Sequence, residues 1–336
     1  MIRNWKLWLG LAISAVALFL TLRGIHYDEF AATLAKAQII WLVPSFLALL
    51  VTLCLRTWRW SGLMGKTPFW ITFHALNIGY LLNSTLPFRL GELGRAYVIG
   101  ERTSVRMTRA LSTVVVERML DLATVVLLFA VCTQFIPIPP EFSTAALSGG
   151  IVVVMLVLAF ALAIWQSARV EVVLESITRR VPRFQAGSLV RRFHDLVDGF
   201  AIFKSPGRLA TSLLLTAGIW ASSLMVAFFT MMAFKSARLD DVGLAMVLSN
   251  LGGALPSAPG GLGVVQFFAK QSLVIPFQVP VDIAVAFAFI WSLYQQLALI
   301  ILGLIGLVRV GLSFSSVSGR SQQAVNSIEP VSSVVQ

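Results

Sequence analysis

The sequence reads Asn83-Ser-Thr-Leu-Pro-Phe-Arg-Leu-Gly-Glu-Leu-Gly-Arg95 at the end of a long apolar run, and Glu117-Arg118-Met-Leu-Asp121 stands at the start of the next. Pro87 and Gly91 interrupt a helix, and the acids and bases around them are costly to place in lipid. Such groups usually face a protein interior or a wet cavity and mark a polar pathway. The two stretches therefore predict a bent backbone and a polar site inside a membrane domain.

The composition of the 336 residues is that of a polytopic membrane protein, with 57% hydrophobic residues, 12% charged residues and a mean hydropathy of +0.85. A soluble domain carries about 25% charged residues. A spanning helix needs about 20 mostly apolar residues, and eight runs approach that length. These runs are Leu7–Leu22, Ala37–Leu55, Thr67–Phe88, Leu122–Pro140 (extending back to about Ala110), Phe142–Ala168, Leu209–Phe234, Val242–Ala269 and Ile283–Val308.

Basic residues between the runs predict the topology, because Lys and Arg accumulate in cytoplasmic loops. The stretches 56–66, 89–109 and 169–208 are rich in them, whereas 136–144 has none. All four fall on consistent sides if Thr67–Phe88 and Val242–Ile275 are re-entrant hairpins and the other six runs are full spans. We therefore predict a single all-α transmembrane domain over residues 1–312, with both termini cytoplasmic. Eight full spans with a weak charge bias are the alternative.

The net charge of +11 lies mainly in loops that flank apolar runs. This placement argues against nucleic-acid binding and favours attraction to anionic lipid headgroups. The cytoplasmic loop 169–208 contains Leu189–Phe200, whose apolar residues recur at helical spacing and predict a helix on the membrane surface. Residues 313–336 have few charges and many Ser, Val and Gln, and we expect a disordered tail there.

A second break, Pro256-Ser-Ala-Pro-Gly-Gly-Leu-Gly263, interrupts the second predicted hairpin. Two prolines and three glycines in eight residues cannot continue a regular helix. Transporters place broken helices at substrate sites, although a tight connection between two packed helices would need the same residues. The predicted backbone and polar lining of the two breaks comprises Asn83, Pro87, Gly91, Pro256, Pro259, Gly260, Gly261, Gly263 and Gln266.

Three arginines and three acids form the candidate site. Glu117 and Asp121 share a helix face, and Arg118 can pair with Asp121 three residues further on. Two interpretations are open: a self-neutralising ion-pair network, or arginines that are free to grip an anionic headgroup, since the guanidinium fork suits phosphate. The full set is Arg89, Arg95 and Arg118 with Glu92, Glu117 and Asp121.

Catalytic patterns are absent from the sequence. His26, His74 and His194 share no motif, and there is no Gly-Lys-Ser/Thr, His-Glu-x-x-His or Gly-x-Ser-x-Gly pattern. Cys54 and Cys132 lie in apolar runs, without the spacing of a metal site or a disulfide. The sequence thus predicts no metal and no cofactor, and it gives no evidence for an enzyme.

At these residues the chain resembles the lysylphosphatidylglycerol synthase transmembrane-region family, also described as flippase-like or uncharacterised integral membrane proteins. The resemblance rests on the two charged stretches and on the Pro256–Gly263 break, in matching order over roughly residues 5–310. The family often has a glutamate shortly after the glycine run, where this chain has Gln266, so a titratable carboxylate is not expected there.

The resemblance implies a protein that handles lipids with charged or sugar-bearing headgroups. Some members also carry a soluble aminoacyl-transferase domain, for which this chain leaves no room after about residue 310, so the flippase-like part is expected alone. We expect a lipid translocator of a prokaryotic inner membrane whose partner is an anionic phospholipid or a polyprenyl-phosphate-linked lipid. Arg89, Arg95 and Arg118 would hold the headgroup, while the three acids position them or relay protons.

Two other functions stay open from the sequence. One is a membrane-embedded transferase that acts on a lipid phosphate, with Glu117 or Asp121 as the base. The other is a secondary transporter of a small soluble anion. The sequence predicts neither the particular lipid nor the direction and energy source of transport, and it predicts no oligomeric state.

Overall fold

The computed structural model describes residues 5–65, 67–86, 90–136, 205–253 and 257–326, together with the single residues 155 and 202. Every regular element in these residues is a helix, as the predicted all-α class requires. The α-helices are α1 (Trp5–Leu22), α2 (Tyr27–Ala35), α3 (Leu42–Met64), α4 (Phe69–Thr85), α5 (Gly91–Arg102), α6 (Met107–Phe135), α7 (Pro206–Met232), α8 (Leu239–Gly253), α9 (Val264–Phe277), α10 (Val281–Val310) and α11 (Phe314–Asn326).

Three of the described helices are long and apolar enough to cross a membrane: α3 with the turn before it, α7 and α10. Helices α1 and α2 meet at an angle of 85° and would add a fourth crossing if the pair were one broken span. Helix α6 has 29 residues and so is roughly 44 Å long, but its first half is charged. The chain thus has the apolar helices of a membrane protein, while the total of eight units stays a prediction. The run Phe142–Ala168 and the loop helix Leu189–Phe200 lie outside the described residues, apart from Met155.

Helix α3 extends further than the sequence pattern suggested. The apolar run ends at Leu55, and residues 56–66 were assigned to a loop, whereas the helix continues to Met64 and ends at Gly65, whose φ is 99°. Arginine is a good helix former, and the charges of Arg56 and Arg59 find acidic partners on α6. Hydropathy alone ends a run at the first charge and therefore misses this continuation.

The first predicted hairpin, Thr67–Phe88, has different bounds in the structure. Residues 69–85 of that run form the single helix α4, and the returning arm is α5, which lies in the stretch 89–109 that was assigned to a basic cytoplasmic loop.

Helices α4 and α5 fold back on each other. The backbone N–H of Gly91 donates to Oδ1 of Asn83 over 2.9 Å. A Cβ built on Gly79 would lie 2.9 Å from the Gly91 carbonyl oxygen and 3.1 Å from Cβ of Arg95. The two backbones therefore touch just beyond the break, as expected for an antiparallel helix pair with glycine at its crossing.

The second predicted hairpin is formed by α8 and α9, which also pack side by side. The turn Pro259–Gly261 lies between them, and Gly260, Gly261 and Gly263 have φ values of 72°, 71° and 84°. Backbone angles of this kind are readily adopted only by glycine, which explains the glycine run. The helix–break–helix order is thus present at both places. The return of each hairpin to one membrane face stays a prediction.

The C-terminal residues differ from the expected disordered tail. Residues 314–326 form α11, which packs on α5. Val317 and Ser321 are buried there, and a Cβ built on Gly94 would lie 3.3 Å from Cγ1 of Val317. The mean hydropathy of this segment is low because only a few of its side chains are apolar. Those few suffice for packing, since Val317 and Ser321 lie against the small residue Gly94 of α5.

The C-terminal end of α1 is held by a buried lysine. The Nζ of Lys270 on α9 donates to the carbonyl oxygens of Leu20, Thr21 and Arg23 at 3.3, 3.0 and 2.8 Å. The last carbonyls of a helix have no partner within it, and a cation there also interacts favourably with the helix dipole. Lys270 therefore fixes α1 against the second hairpin.

We expect Lys270→Met to loosen α1 by about 1–3 kcal/mol, because three carbonyl oxygens lose a charged donor. Trypsin should then cleave more rapidly after Arg23, which is exposed just beyond the helix. Lys36→Met is the matched control, because Lys36 is exposed and lies outside this contact. Equal cleavage rates at Arg23 in both variants would show that Lys270 does not hold the helix end.

Candidate functional site

A buried ion pair between the first hairpin and α6 forms the centre of the site. The Nη1 atom of Arg95 lies 3.3 and 3.2 Å from the two carboxylate oxygens of Glu117. The guanidinium carbon of Arg95 also lies 4.6 Å from the ring centroid of Trp60, a cation–π contact. Glu117 is 0% exposed, so its charge depends on these arginines rather than on water.

Arg59 of α3 extends the pair into a network. Its Nη1 donates to Oδ1 of Asp121 over 2.7 Å and to Oγ1 of Thr216 over 2.9 Å. Its Nη2 lies 3.8 Å from Glu117, and Arg56 reaches the other oxygen of Asp121 at 3.5 Å. Helices α3, α5, α6 and α7 are therefore joined through polar contacts around two acids.

Arg118 differs from the other arginines because its side chain is 42% exposed. Its Nη2 donates to Oε1 of Glu117 over 3.2 Å, and its Nε lies 3.3 Å from Glu92. Arg95, Arg118 and Glu92 line a cavity that also includes Tyr80 and Asn83. The cavity lies between α4, α5 and α6, beside the contact of Gly79 with Gly91. Helix α5 contributes Glu92 and Arg95 to its lining, and α6 contributes Arg118.

The cluster carries more positive than negative charge. Four guanidinium groups, from Arg56, Arg59, Arg95 and Arg118, face three carboxylates. Within the described residues, Nε of Arg95 has no hydrogen-bond partner. An anion that entered the cavity would meet a net positive charge and a spare donor, which is the chemistry of phosphate recognition.

Most of the predicted charged residues are brought together. The cluster contains five of them: Arg95, Arg118, Glu92, Glu117 and Asp121. Asn83 and Gly91 are hydrogen-bonded to each other and line the adjacent cavity. Arg89, Pro87 and Pro256 lie outside the described residues. The remaining predicted lining forms a separate group at the second break, comprising Pro259, Gly260, Gly261, Gly263 and Gln266.

Sequence reasoning missed Arg56, Arg59 and Tyr80. The two arginines were counted as topogenic loop charges, although their spacing of three residues places them on one helix face, as with any i, i+3 pair. A prediction that α3 continues past Leu55 would have placed both arginines on a transmembrane helix, where they need acidic partners on another helix. Tyr80 carries no motif, and only the fold brings it to the cavity.

The second break is polar but uncharged. The side chain of Gln266 accepts a hydrogen bond from the Gly263 N–H at 2.7 Å and donates to Ser292 Oγ at 2.8 Å. Gln296 donates to the Gly260 carbonyl oxygen at 3.0 Å. Gln266 thus occupies the position where the family named in the sequence analysis often has a glutamate. Its uncharged amide accepts the hydrogen bond from the backbone N–H of Gly263.

One group of side chains could in principle ligate a cation. His26, Glu29 and Asp282 offer ligand atoms that lie within 4.8 Å of one another. Asp282 already accepts the backbone N–H of His26 over 3.2 Å, and the ammonium group of Lys270 interacts with it electrostatically. These contacts tie Asp282 of α10 to the start of α2 and to Lys270 of α9.

A family model described as the lysylphosphatidylglycerol synthase TM region matches residues 7–303. A UPF0104 membrane protein of Methanothermobacter thermautotrophicus is 26% identical over 277 residues, covering 76% of this chain and 81% of the relative. The search of solved structures found no match.

Proposed function

This chain belongs to the family of the lysylphosphatidylglycerol synthase TM region, and from that membership and the charged cavity we propose that it binds and translocates a membrane lipid with an anionic or sugar-bearing headgroup. The chain is a membrane protein with several apolar helices. An inner-membrane location with cytoplasmic termini belongs to this proposal and rests on the distribution of basic residues.

The observation that carries the proposal is Arg118, whose side chain is 42% exposed and lies beside the buried Arg95–Glu117 pair. A purely structural network would be expected to neutralise itself and bury its members. Here one arginine stays accessible at a cavity where positive groups outnumber acids. The cavity is small, so a phosphate or carboxylate of a headgroup would reach Arg95 only by displacing Glu92 from Arg118.

The charged cluster was interpreted either as a self-neutralising ion-pair network or as a site for an anionic headgroup. We assign the first role to its deep residues and the second to its exposed residues. Glu117, Asp121 and Arg59 are deep and form ion pairs with one another, and they hold the helices in register. Nε and Nη2 of Arg59 have no hydrogen-bond partner among the described residues. Arg118 and Glu92 lie at the mouth of the cavity, where Glu92 competes with an incoming anion for Arg118. If the headgroup replaced Glu92 as the partner of Arg118, the lipid would bind at the cavity. Its tails could remain in the bilayer, so only the headgroup would need a polar path.

We expect Arg118→Ala to slow headgroup translocation at least about tenfold, the effect of losing one charge-assisted hydrogen bond in a low-dielectric site. Arg118→Lys should restore the charge but not the bidentate fork, and so give an intermediate rate. The measurement is the movement of a labelled anionic phospholipid across the bilayer of liposomes that contain the pure protein.

Arg238→Ala is the matched control, because Arg238 is 74% exposed and pairs only with Asp240 among the described residues. Translocation at the parent rate by well-folded Arg118→Ala protein would contradict the proposal. Mass spectrometry of co-purifying lipids would identify the headgroup. A product formed from added lipid donor and acceptor would instead indicate a transferase, and uptake of a soluble anion without lipid would indicate a secondary transporter.

A further inference from the structure

The hydroxyl group of Tyr80 is a polar group of the cavity that the ion-pair network does not use. The side chain is half-buried, and its ring packs against two separate hydrophobic clusters, which contain Trp291 and Trp60 respectively. Tyr80 also interacts electrostatically with Arg56 of α3 and with Arg118 of α6. The core therefore fixes the ring, and the phenol lies near two guanidinium groups from different helices.

This hydroxyl group makes no hydrogen bond with any described residue. A tyrosine whose ring is drawn into a protein interior usually finds a partner for its O–H, and Tyr294 does so by bonding to Ser45. The neighbouring arginines cannot serve Tyr80 as acceptors, because a guanidinium group only donates. Within the described part of the chain, Tyr80 thus brings an unused donor to the cavity.

Two further donors at the cavity are also unused. Nε of Arg95 is buried and has no partner among the described residues. Asn83 accepts the N–H of Gly91 through its Oδ1 atom, and no described residue accepts a hydrogen bond from its NH2 group. Tyr80 and Asn83 belong to α4, Arg95 to α5 and Arg118 to α6, so donors surround the cavity from three helices.

Glu92 pairs with Arg118 but leaves these donors unused. Its Oε1 atom lies 3.3 Å from Nε of Arg118, and among the described residues it has no hydrogen bond to Tyr80. Glu92 is part of the chain, whereas an incoming anion loses translational and rotational freedom when it binds. A ligand can therefore replace Glu92 only through contacts that Glu92 does not make, and the hydroxyl group of Tyr80 offers such a contact.

A phosphate fits this arrangement of donors better than a carboxylate does. The two oxygens of a carboxylate lie in one plane with their carbon, whereas a phosphate places four oxygens at the corners of a tetrahedron. Donors on three helices can therefore reach a phosphate from several sides, and its oxygens accept strong charge-assisted hydrogen bonds. The charge agrees as well, because a phosphodiester carries one negative charge and the cluster has four guanidinium groups against three carboxylates.

We infer that Tyr80 is a specificity-determining residue of the headgroup site, and that its hydroxyl group donates to a phosphate oxygen held by Arg118. The inference rests on the proposed function and narrows it, because it assigns a phosphodiester to the part of the headgroup that enters the cavity. A phosphate replaces Glu92 because it engages Tyr80 and Arg118 together. A carboxylate headgroup engages Arg118 alone and so gains little over Glu92.

Tyr80→Phe tests the inference, because it removes the hydroxyl group and keeps the ring. Liposomes with the pure protein contain either labelled phosphatidylmethanol, a phosphodiester without other polar groups, or a labelled diacylglycerol hemisuccinate, a carboxylate of the same charge. The parent should move the phosphodiester lipid faster. Tyr80→Phe should slow that lipid about tenfold, the effect of losing one hydrogen bond to a charged group, and leave the carboxylate lipid unchanged.

Tyr97→Phe is the matched control, because Tyr97 is a half-buried tyrosine of α5 that packs against a hydrophobic cluster and does not line the cavity. It should move both lipids at the parent rates. The thermal midpoint of Tyr80→Phe should equal that of the parent, since the hydroxyl group has no described bond to lose. A lower midpoint with both lipids slowed equally would assign the hydroxyl group a structural role and overturn the inference.

Glu92→Gln tests the exchange from the opposite side. Removal of the competing charge should speed the carboxylate lipid about two- to fivefold, as expected for the loss of a partly exposed ion pair. The preference for the phosphodiester should then decrease through a gain for the carboxylate, whereas in Tyr80→Phe it decreases through a loss for the phosphate. No gain for the carboxylate lipid would mean that Glu92 does not compete for Arg118, and the exchange would be wrong.

The remaining outcomes separate this inference from the proposed function. A preference for the phosphodiester that persists in Tyr80→Phe would overturn the role of Tyr80 and leave lipid translocation standing. A parent protein that moves neither lipid would refute the proposed function, and the inference with it. Uptake of inorganic phosphate that requires Tyr80, without any movement of lipid, would overturn the lipid headgroup as the source of the phosphate.

Discussion

Glu117→Gln is expected to destabilise the fold by about 3–5 kcal/mol, the loss seen when one partner of a buried ion pair is removed. The substitution keeps the shape of the side chain but removes its charge. Arg95, Arg59 and Arg118 would then share a buried site with too little negative charge. Thermal unfolding in detergent, followed by the loss of monodisperse protein, should show a much lower midpoint.

The matched control is Glu92→Gln, the same chemical change at a side chain that is 31% exposed. Water can solvate the remaining partner there, so an effect of about 0–1 kcal/mol is expected. Equal midpoints for the two variants would mean that Glu117 is either hydrated or neutral in the folded protein. The network would then not be the element that joins α3, α5 and α6.

Gly91→Ala is expected to disrupt the first hairpin, at a cost of about 3 kcal/mol or more. A Cβ built on Gly91 would lie 1.9 Å from the Gly79 carbonyl oxygen and 2.7 Å from Oδ1 of Asn83. Both contacts are far below van der Waals distance, and the first involves backbone, which cannot rotate away. The helices must separate, and the cavity beside Arg95 would change shape.

Gly62→Ala in α3 provides the control, because nothing lies within 4 Å of its added Cβ. A glycine in a helix interior is less favourable than alanine, so this variant should be more stable by about 0.5–1 kcal/mol. Stability should therefore fall in Gly91→Ala and rise in Gly62→Ala, and lipid binding should weaken only in Gly91→Ala. If Gly91→Ala unfolds at the parent temperature, α4 and α5 are not in the contact described above.

The positions of both breaks and most of the charged cluster could be predicted from the sequence, because their causes are local. Pro and Gly end helices wherever they occur, and a charge within an apolar run needs a partner. Arg95, Glu117 and Asp121 were therefore identifiable without any contact information. That they meet each other follows from the short connection between α5 and α6.

Arg59 and α11 could not be predicted in the same way, because their signals depend on distant partners. Arg59 looks like a loop charge until Asp121 and Thr216 are placed beside it. The polar segment 314–326 is a helix whose buried residues Val317 and Ser321 pack beside Gly94 of α5, a contact that only the fold creates.

The contact between Arg59 and Asp121 has a consequence for biosynthesis. An Asp or Arg near the centre of an isolated helix raises the cost of insertion by about 2.5–3.5 kcal/mol per residue. Helix α6 carries Glu117, Arg118 and Asp121 near its centre and would leave the translocon poorly matched to lipid on its own. Helix α3 is synthesised before α6 and carries Arg59, so its guanidinium group is available to pair with Asp121 when α6 is inserted. The order of synthesis thus places Arg59 in the membrane before Asp121 arrives. Stable integration of α6 then requires that it pair early with α3.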